Sequence, residues 1–172
     1  LAFEEVDYWD ELVGIMDYAK KHVHATLYIC WGAQAGLYHH YGIPKYGLPR
    51  KLSGIFSHTI NDPTNQLFRG FDDVFHAPHS RHTEVRGEDI AKIPTLEILA
   101  ESDEAGVLVA GTLDGRSMFI TGHLEYDRDT LDAEYRRECR SRLRHITTPV
   151  TMRRGPRWSA GGPMPICSIP TG

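Results

Sequence analysis

Three side chains of this 172-residue sequence have the types that covalent acyl transfer requires: Cys30, His123 and Glu125. A cysteine attacks a carbonyl carbon as its thiolate, a histidine takes up and returns the proton, and a carboxylate fixes the imidazole's tautomer and orientation. Cys30 sits where the β-rich run "TLYIC" gives way to the small-residue run "WGAQAG". A strand ending in a residue that opens a tight turn into a helix lifts that side chain above the sheet edge, with the helix N-terminus aimed at it. The positive end of the helix favours thiolate, and the backbone N–H of Trp31 is the expected oxyanion donor. Gly32, Ala33 and Ala35 are expected to let the helix approach the strand closely. By itself Cys30 also reads as a buried cysteine at a strand end. "MFITGHLEYD" decides between the two, because it brings a histidine and a carboxylate to the end of another apolar strand, and nucleophile, base and orienter then form a set.

The elements that must position this set are legible in outline. Tyr8, Leu12, Ile15, Met16, Ala19 and Val23 recur at helical spacing, which predicts a helix from about Asp7 to His22. "ATLYIC" is a short buried strand, and "WGAQAGLYHHYG" a helix closed by Gly42. "IPKYGLPRKLSG" is punctuated by Pro44, Gly47 and Pro49 and reads as a loop. Strands are expected at "GIFSHTI", "LEILAES", "VLVAGTL" and "SMFITG", and a last helix from Asp129 to about Arg142. Helix, strand, helix and then several strands is an α/β order.

A hydrophobic share of 41% with 24% charged residues belongs to a globular domain. No apolar run reaches the ~20 residues of a membrane helix, and "LAFEEVDYWDE" lacks the pattern of a signal peptide, so the expected address is cytoplasmic. Cys30, Cys139 and Cys167 are at no metal-ligand spacing, and neither a disulfide framework nor a metal site is expected. His76, His79 and His82 are spaced by three, but Pro78 argues against one helical face. Arg153, Arg154 and Arg157, unaccompanied by acids after Ile146, make the tail basic and leave the body more acidic than the net charge of −4. Three arginines are too few for a nucleic-acid surface.

The sequence resembles the homoserine O-acyltransferases of the MetA type, whose fold is similar to class I glutamine amidotransferases. The resemblance rests on "FEEVDYW", "CWGAQAGLYHHYGIPK", "KLSGIF", "RGFDDVFHAPHSR" and "TGHLEYD", in order along most of Leu1 to Arg137. It implies a flavodoxin-like α/β sheet with flanking helices, and a cysteine nucleophile, Cys30, that takes an acyl group from acyl-CoA. His123 and Glu125 match the family's G-H-P-E-Y-D motif, with Leu124 in place of its proline. Lys51 before L-S-G, Ser80 of A-P-H-S-R and Arg137 in the following helix are implied to hold L-homoserine. On residue type alone Lys51 and Arg137 would be solvated charges and Ser80 a loop hydroxyl, whereas a bidentate arginine is the usual partner of an amino-acid carboxylate. The implied reaction is ping-pong acyl transfer in methionine synthesis, with acyl-CoA as co-substrate, no resident cofactor, and a homodimer when the protein is full length. "FEEVDYW" is more similar to the acetyl-transferring members, so acetyl-CoA is the expected donor and succinyl-CoA the alternative. A glutamine amidotransferase-like hydrolase would share the triad but has no use for Lys51, Ser80 and Arg137. A non-catalytic fragment is the other rival.

The family's members carry further sheet strands ahead of the position of Leu1, so residues 1–145 are expected to be part of the catalytic domain, incomplete at its N-terminus. Residues 146–172 have no usable periodicity and are expected to be an irregular tail. Back-translating "RWSAGGPMPICSIPTG" and regrouping from each codon's third base can give V-V-S-W-R-A-H-A-N-L-L-Y-S-N-W, which is similar to the family's own ending. The fixed codons of Trp158 and Met164 are both compatible, which points to a frameshift between about Glu138 and His145.

Overall fold

The computed structural model describes residues 2–144 with Gly162 and Pro163, and the side chains of residues 2–140. The tail apart from those two residues, with Cys167, lies outside the described residues, and the frameshift expected between about Glu138 and His145 falls at the end of that described stretch, where nothing in the structure bears on it. A single sheet runs in the order β1-β6-β5-β4-β2-β3, built from β1 (Thr26–Ile29), β2 (Tyr46–Ile60), β3 (Val74–Glu84), β4 (Leu96–Ser102), β5 (Gly106–Thr112) and β6 (Ser117–Ile120). A two-residue strand, β7 (Gly162–Pro163), pairs with Gly54 and Ile55 of β2. The helices are α1 (Trp9–His22), α2 (Trp31–Tyr41), α3 (Gly87–Ile90) and α4 (Thr130–Arg144). The expected α/β class holds, although β1 and β6 are the one parallel pair among the described strands.

Helix α1 begins at Trp9, two residues later than the periodicity suggests, and β4 covers the predicted "LEILAES". Two segments differ in kind from expectation. "YGLPRKLSG" is not a loop but the first half of β2, and the β2–β3 register skips between Gly47 and Leu52. Turn residues gathered in that irregularity interrupt the ladder without ending the strand, and Pro49 has no N–H to leave unpaired there. "VFHAPHSRHTE", within which Ser80 reads as a loop hydroxyl, is β3. Its Pro78 is tolerated because, among the described residues, β3 is the last strand of the sheet with β2 as its neighbour. Period two then puts Ala77, His79 and Arg81 on the buried face of β3.

Two apolar clusters hold the sheet. Phe3, Trp9, Met16, Tyr28, Ala33, Ala35, Leu37 and Phe119 seat α1 and α2, while Phe68, Ala77, Leu99, Leu108 and Ile120 form a second cluster that includes Ala77 of β3. Among the described residues no helix is long and apolar enough to cross a membrane. The helix α2 lies against β1 and β6 more closely than a side chain at Gly36 would allow: a Cβ there would stand 2.9 Å from the Phe119 ring and 3.1 Å from Tyr28, which stack on each other at 4.9 Å. Ala33 and Ala35 are fully buried as expected, but Gly32 faces open space and Gly36 is the residue the packing requires. Gly36→Val is therefore expected to destabilise the fold by about 1–3 kcal/mol through overpacking, with Gly32→Ala near neutral. Urea denaturation of both variants checks this, and equal midpoints would refute it.

Candidate active site

The parallel register of β1 and β6 pairs Ile29 with Ile120, so both strands end side by side at one sheet edge. Cys30 and the turn Thr121–His123 follow immediately, and this is how residues 93 apart in sequence meet. Cys30 has φ 50° and ψ −115°, the one positive φ of a non-glycine residue among the described residues. Such a conformation costs about 1–3 kcal/mol and persists where its surroundings over-determine it. Here the Cys30 N–H donates to the Ile120 carbonyl at 2.7 Å, and the Cys30 carbonyl accepts from the N–H groups of Ala33 and Gln34 at 3.1 and 3.2 Å. The strain thus stands the thiol at the N-cap of α2. Helical geometry leaves the N–H groups of Trp31 and Gly32 without intrahelical acceptors, available to a developing oxyanion. The Trp31 ring is held away from them against Phe3 and Tyr8.

His123 is fixed from three sides. Its N–H donates to the Pro78 carbonyl at 2.9 Å, its Nδ1 meets Glu125 Oε1 at 2.7 Å, and Tyr126 stacks on the ring at 4.2 Å. Replacing the motif's proline with Leu124 therefore leaves the His123–Glu125 contact in place. Gly122 is needed for close approach, since a Cβ would stand 2.7 Å from Leu108 and 3.0 Å from the Pro78 carbonyl. Burial opposes protonation of His123, but hydrogen bonds and negative charge from Cys30 and Glu125 outweigh it and raise the imidazole from 6.5 to about 9. The structure brings together Cys30, His123 and Glu125, the set expected from the sequence, with the imidazole between the thiol and the carboxylate.

Lys51 and Ser80 converge beside it on a residue that sequence reasoning passed over, Glu134 of α4. Ser80 Oγ donates to Glu134 at 2.6 Å, Lys51 Nζ at 3.0 Å and the Tyr126 hydroxyl at 3.0 Å, and Lys51 also pairs with Glu138. Burial would raise Glu134, but these three donors lower it below the ordinary carboxylate value. Burial first and the Glu134 bond second push the Tyr126 phenol upward, which keeps it a neutral donor. Glu134 stands one helical turn before Arg137, a spacing visible in the sequence; what was not visible is that β3, read as a loop, delivers Ser80 to it. Arg137 itself is exposed on α4 and has no hydrogen-bond or ion-pair partner among the described residues, so the structure does not join it to Lys51 and Ser80. The three spaced histidines do not converge: His76 and His82 are exposed on one face of β3 and His79 is buried on the other. Asp17, His39 and His40 lie near one another at the far end of α2 from Cys30, with His39 bonded to Asp17 and His40 to Tyr28.

Because the raised His123 value reflects partners present only in the fold, its stabilising contribution is full below about pH 6.5 and lost as pH rises toward about 9. Glu125→Gln should lower the His123 titration midpoint measured by NMR of the ring carbons, and shift that loss to lower pH. An unchanged midpoint would mean that Glu125 does not bear on the imidazole.

A family model described as homoserine O-succinyltransferase matches residues 1–154. The chain is 62% identical over 138 residues to a homoserine O-acetyltransferase of Clostridium beijerinckii, covering 80% of this chain and 45% of that protein. It is 58% identical over 143 residues to a homoserine O-acetyltransferase of Brevibacillus brevis, covering 83% and 47%. The chain therefore spans about half the length of the curated relatives it matches. Among solved structures it is similar in fold to a glutamine amidotransferase of Thermotoga maritima, with a TM-score of 0.66 at 14% identity over 84% of this chain and 59% of that one. The strained elbow, the histidine beside it and a match along nearly the whole chain agree: this chain belongs to the homoserine O-succinyltransferase family.

Proposed function

We propose that this chain carries the acyl-transfer centre of a homoserine O-acetyltransferase, with Cys30 as the acyl-accepting nucleophile. The observation that carries the reading is the strained Cys30 at the α2 N-terminus, coupled to His123, which is bonded to Glu125. The names of the relatives support acetyl as the group transferred. Cys30 Sγ attacks the thioester carbonyl of acetyl-CoA, and the Trp31 and Gly32 N–H groups receive the oxyanion. The C–S bond to CoA breaks, the CoA thiolate takes the proton from His123, and an S-acetyl cysteine remains. The homoserine hydroxyl then passes its proton to His123 as its oxygen attacks the acetyl carbon, and Cys30 leaves as thiolate. Lys51, Ser80 and Arg137 are the homoserine-binding residues in this reading. Glu134, kept ionised, suits the substrate ammonium as Arg137 suits its carboxylate. No resident cofactor is needed, and the setting proposed is the cytoplasm, in a homodimer of the complete protein.

Two measurements test this on the chain extended at its N-terminus to the relatives' length. Mixed with acetyl-CoA, the Cys30 peptide should gain one acetyl mass that homoserine removes, and Cys30→Ser should abolish the gain. Acetylation undiminished in Cys30→Ser would overturn the assignment, and a preference for succinyl-CoA would favour the reaction in the family model's description. Arg137→Ala should leave acyl-enzyme formation intact and weaken the homoserine half-reaction by about 2–5 kcal/mol, the usual cost of removing one charged partner. Equal losses in both half-reactions would assign Arg137 a structural role.

A further inference from the structure

Arg81 is 5% exposed, yet among the described residues none of its hydrogen bonds goes to a carboxylate. Its guanidinium donates to His79 Nδ1 at 3.4 Å, to the Thr83 carbonyl at 2.8 Å and to the Ala105 carbonyl at 2.5 Å. The histidine contact begins a chain whose tautomers follow from one end. The Phe56 carbonyl can only accept, so His58 Nδ1–H donates to it at 3.0 Å. The His58 Nε2 of a neutral ring then accepts from His79 Nε2–H at 3.0 Å, which leaves His79 Nδ1 as the acceptor that Arg81 requires. Both rings are fully buried. Burial foremost, with the Arg81 charge second for His79, holds His79 down at about 2 and His58 at about 4, so the guanidinium is the single charge of the chain. A buried ion with no carboxylate among its hydrogen-bond acceptors is costly to a fold; Glu84 opposes that cost only through charge.

The cation has reach in two directions. The Thr83 carbonyl it binds also accepts from Gln34 Nε2 at 3.0 Å, and Thr83 Oγ1 donates to Gln34 Oε1 at 2.6 Å. Gln34 is in the first turn of α2, and its own N–H donates to the Cys30 carbonyl. On the other side, the His79 ring stands 3.2 Å from where a Cβ of Gly122 would be, and the neighbouring Pro78 carbonyl holds the His123 N–H. Nucleophile and base therefore hang from one short run of β3. The groups facing Arg81 are His79 and Glu84 of β3, His58 of β2 and Cys30 at the elbow; those facing Cys30 are His123, Tyr126 and Arg81.

We propose that Arg81 is a positioning residue of the acyl-transfer centre, a buried fixed cation that locks the Cys30 elbow to the His123 turn and sets a positive charge behind the Cys30 thiolate. This rests on the reading of Cys30 as nucleophile. The charge bears on Cys30, where negative charge resides before the attack in that reading, and the fork of the guanidinium makes the placement rigid.

The test is alkylation of Cys30 by iodoacetamide across the pH range, followed peptide by peptide by mass spectrometry on the purified chain. It needs neither acetyl-CoA nor homoserine, so failure of the proposed transfer reaction would leave its outcome readable. Arg81→Met is expected to slow Cys30 alkylation near neutral pH by about tenfold and to move the acidic limb of the profile to higher pH. Arg81→Lys, which keeps charge but not the fork, should lose less rate and keep the limb in place. A folded Arg81→Met with the original limb, or Lys and Met variants displaced alike, would overturn the proposal. If Arg81→Met does not fold, Gln34→Leu, which cuts the tie to α2 and leaves the cation, should lower the rate with the limb unmoved; a limb moved by Gln34→Leu would overturn the proposal equally.

Discussion

The parallel pairing of β1 with β6 is the constraint on which the site depends. Parallel neighbours end at the same edge, so a cysteine after one strand and a histidine after the other become adjacent without any long loop. The remaining sheet among the described residues is antiparallel, and its role is to bring β3 back beside that edge. From there the Pro78 carbonyl captures the His123 N–H. The small side of α2 at Gly36 and the stacked Tyr28 and Phe119 below it keep the helix N-terminus at the height of the thiol.

Much of this was legible in the residue order because it is local. The change from "TLYIC" to "WGAQAG" is a change of periodicity at one point, and local geometry requires little more than that to make the elbow. The His123–Glu125 contact spans two residues and was equally readable. What the residues concealed was non-local. Pro49 and Pro78 read as breakers because propensity describes a strand that must donate on both edges, whereas these prolines sit in a register irregularity and on the last strand of the sheet. Glu134 was hidden for the same reason, since its partners come from 83 and 54 positions away. The choice of Gly36 over Gly32 as the close-contact residue depends on which helical face meets the sheet, and the pattern of small residues did not distinguish them.

Two electrostatic regimes meet within the site. Around His123 and Glu134 charge is met by opposite charge and by donors, so each of these two groups has an identified partner. Around His58, His79 and Arg81 a cation is held by neutral acceptors alone among the described residues. In the first, partners raise the His123 imidazole to about 9 and lower the Glu134 carboxyl; in the second, burial holds the His58 and His79 rings neutral. A reaction that moves a proton through His123 is thereby backed by a frame that keeps its own protons fixed.

The β2–β3 hairpin joins β4 through two residue pairs, Thr59 with Glu101 and Ile60 with Ala100, and β7 pairs with it at Gly54 and Ile55. Mechanically it is a beam joined to the sheet at one end, with one face packed on the core at Phe56, Ala77 and His79. Its props are Glu134, which grips Lys51 and Ser80 from α4, and Arg81, which grips the Ala105 carbonyl. A beam of this kind transmits displacement along its length, and Pro78 lies on it between the joined end and the props. The residues that this carboxylate grips, Lys51 and Ser80, and the carbonyl that holds the His123 N–H therefore sit on one continuous pair of strands.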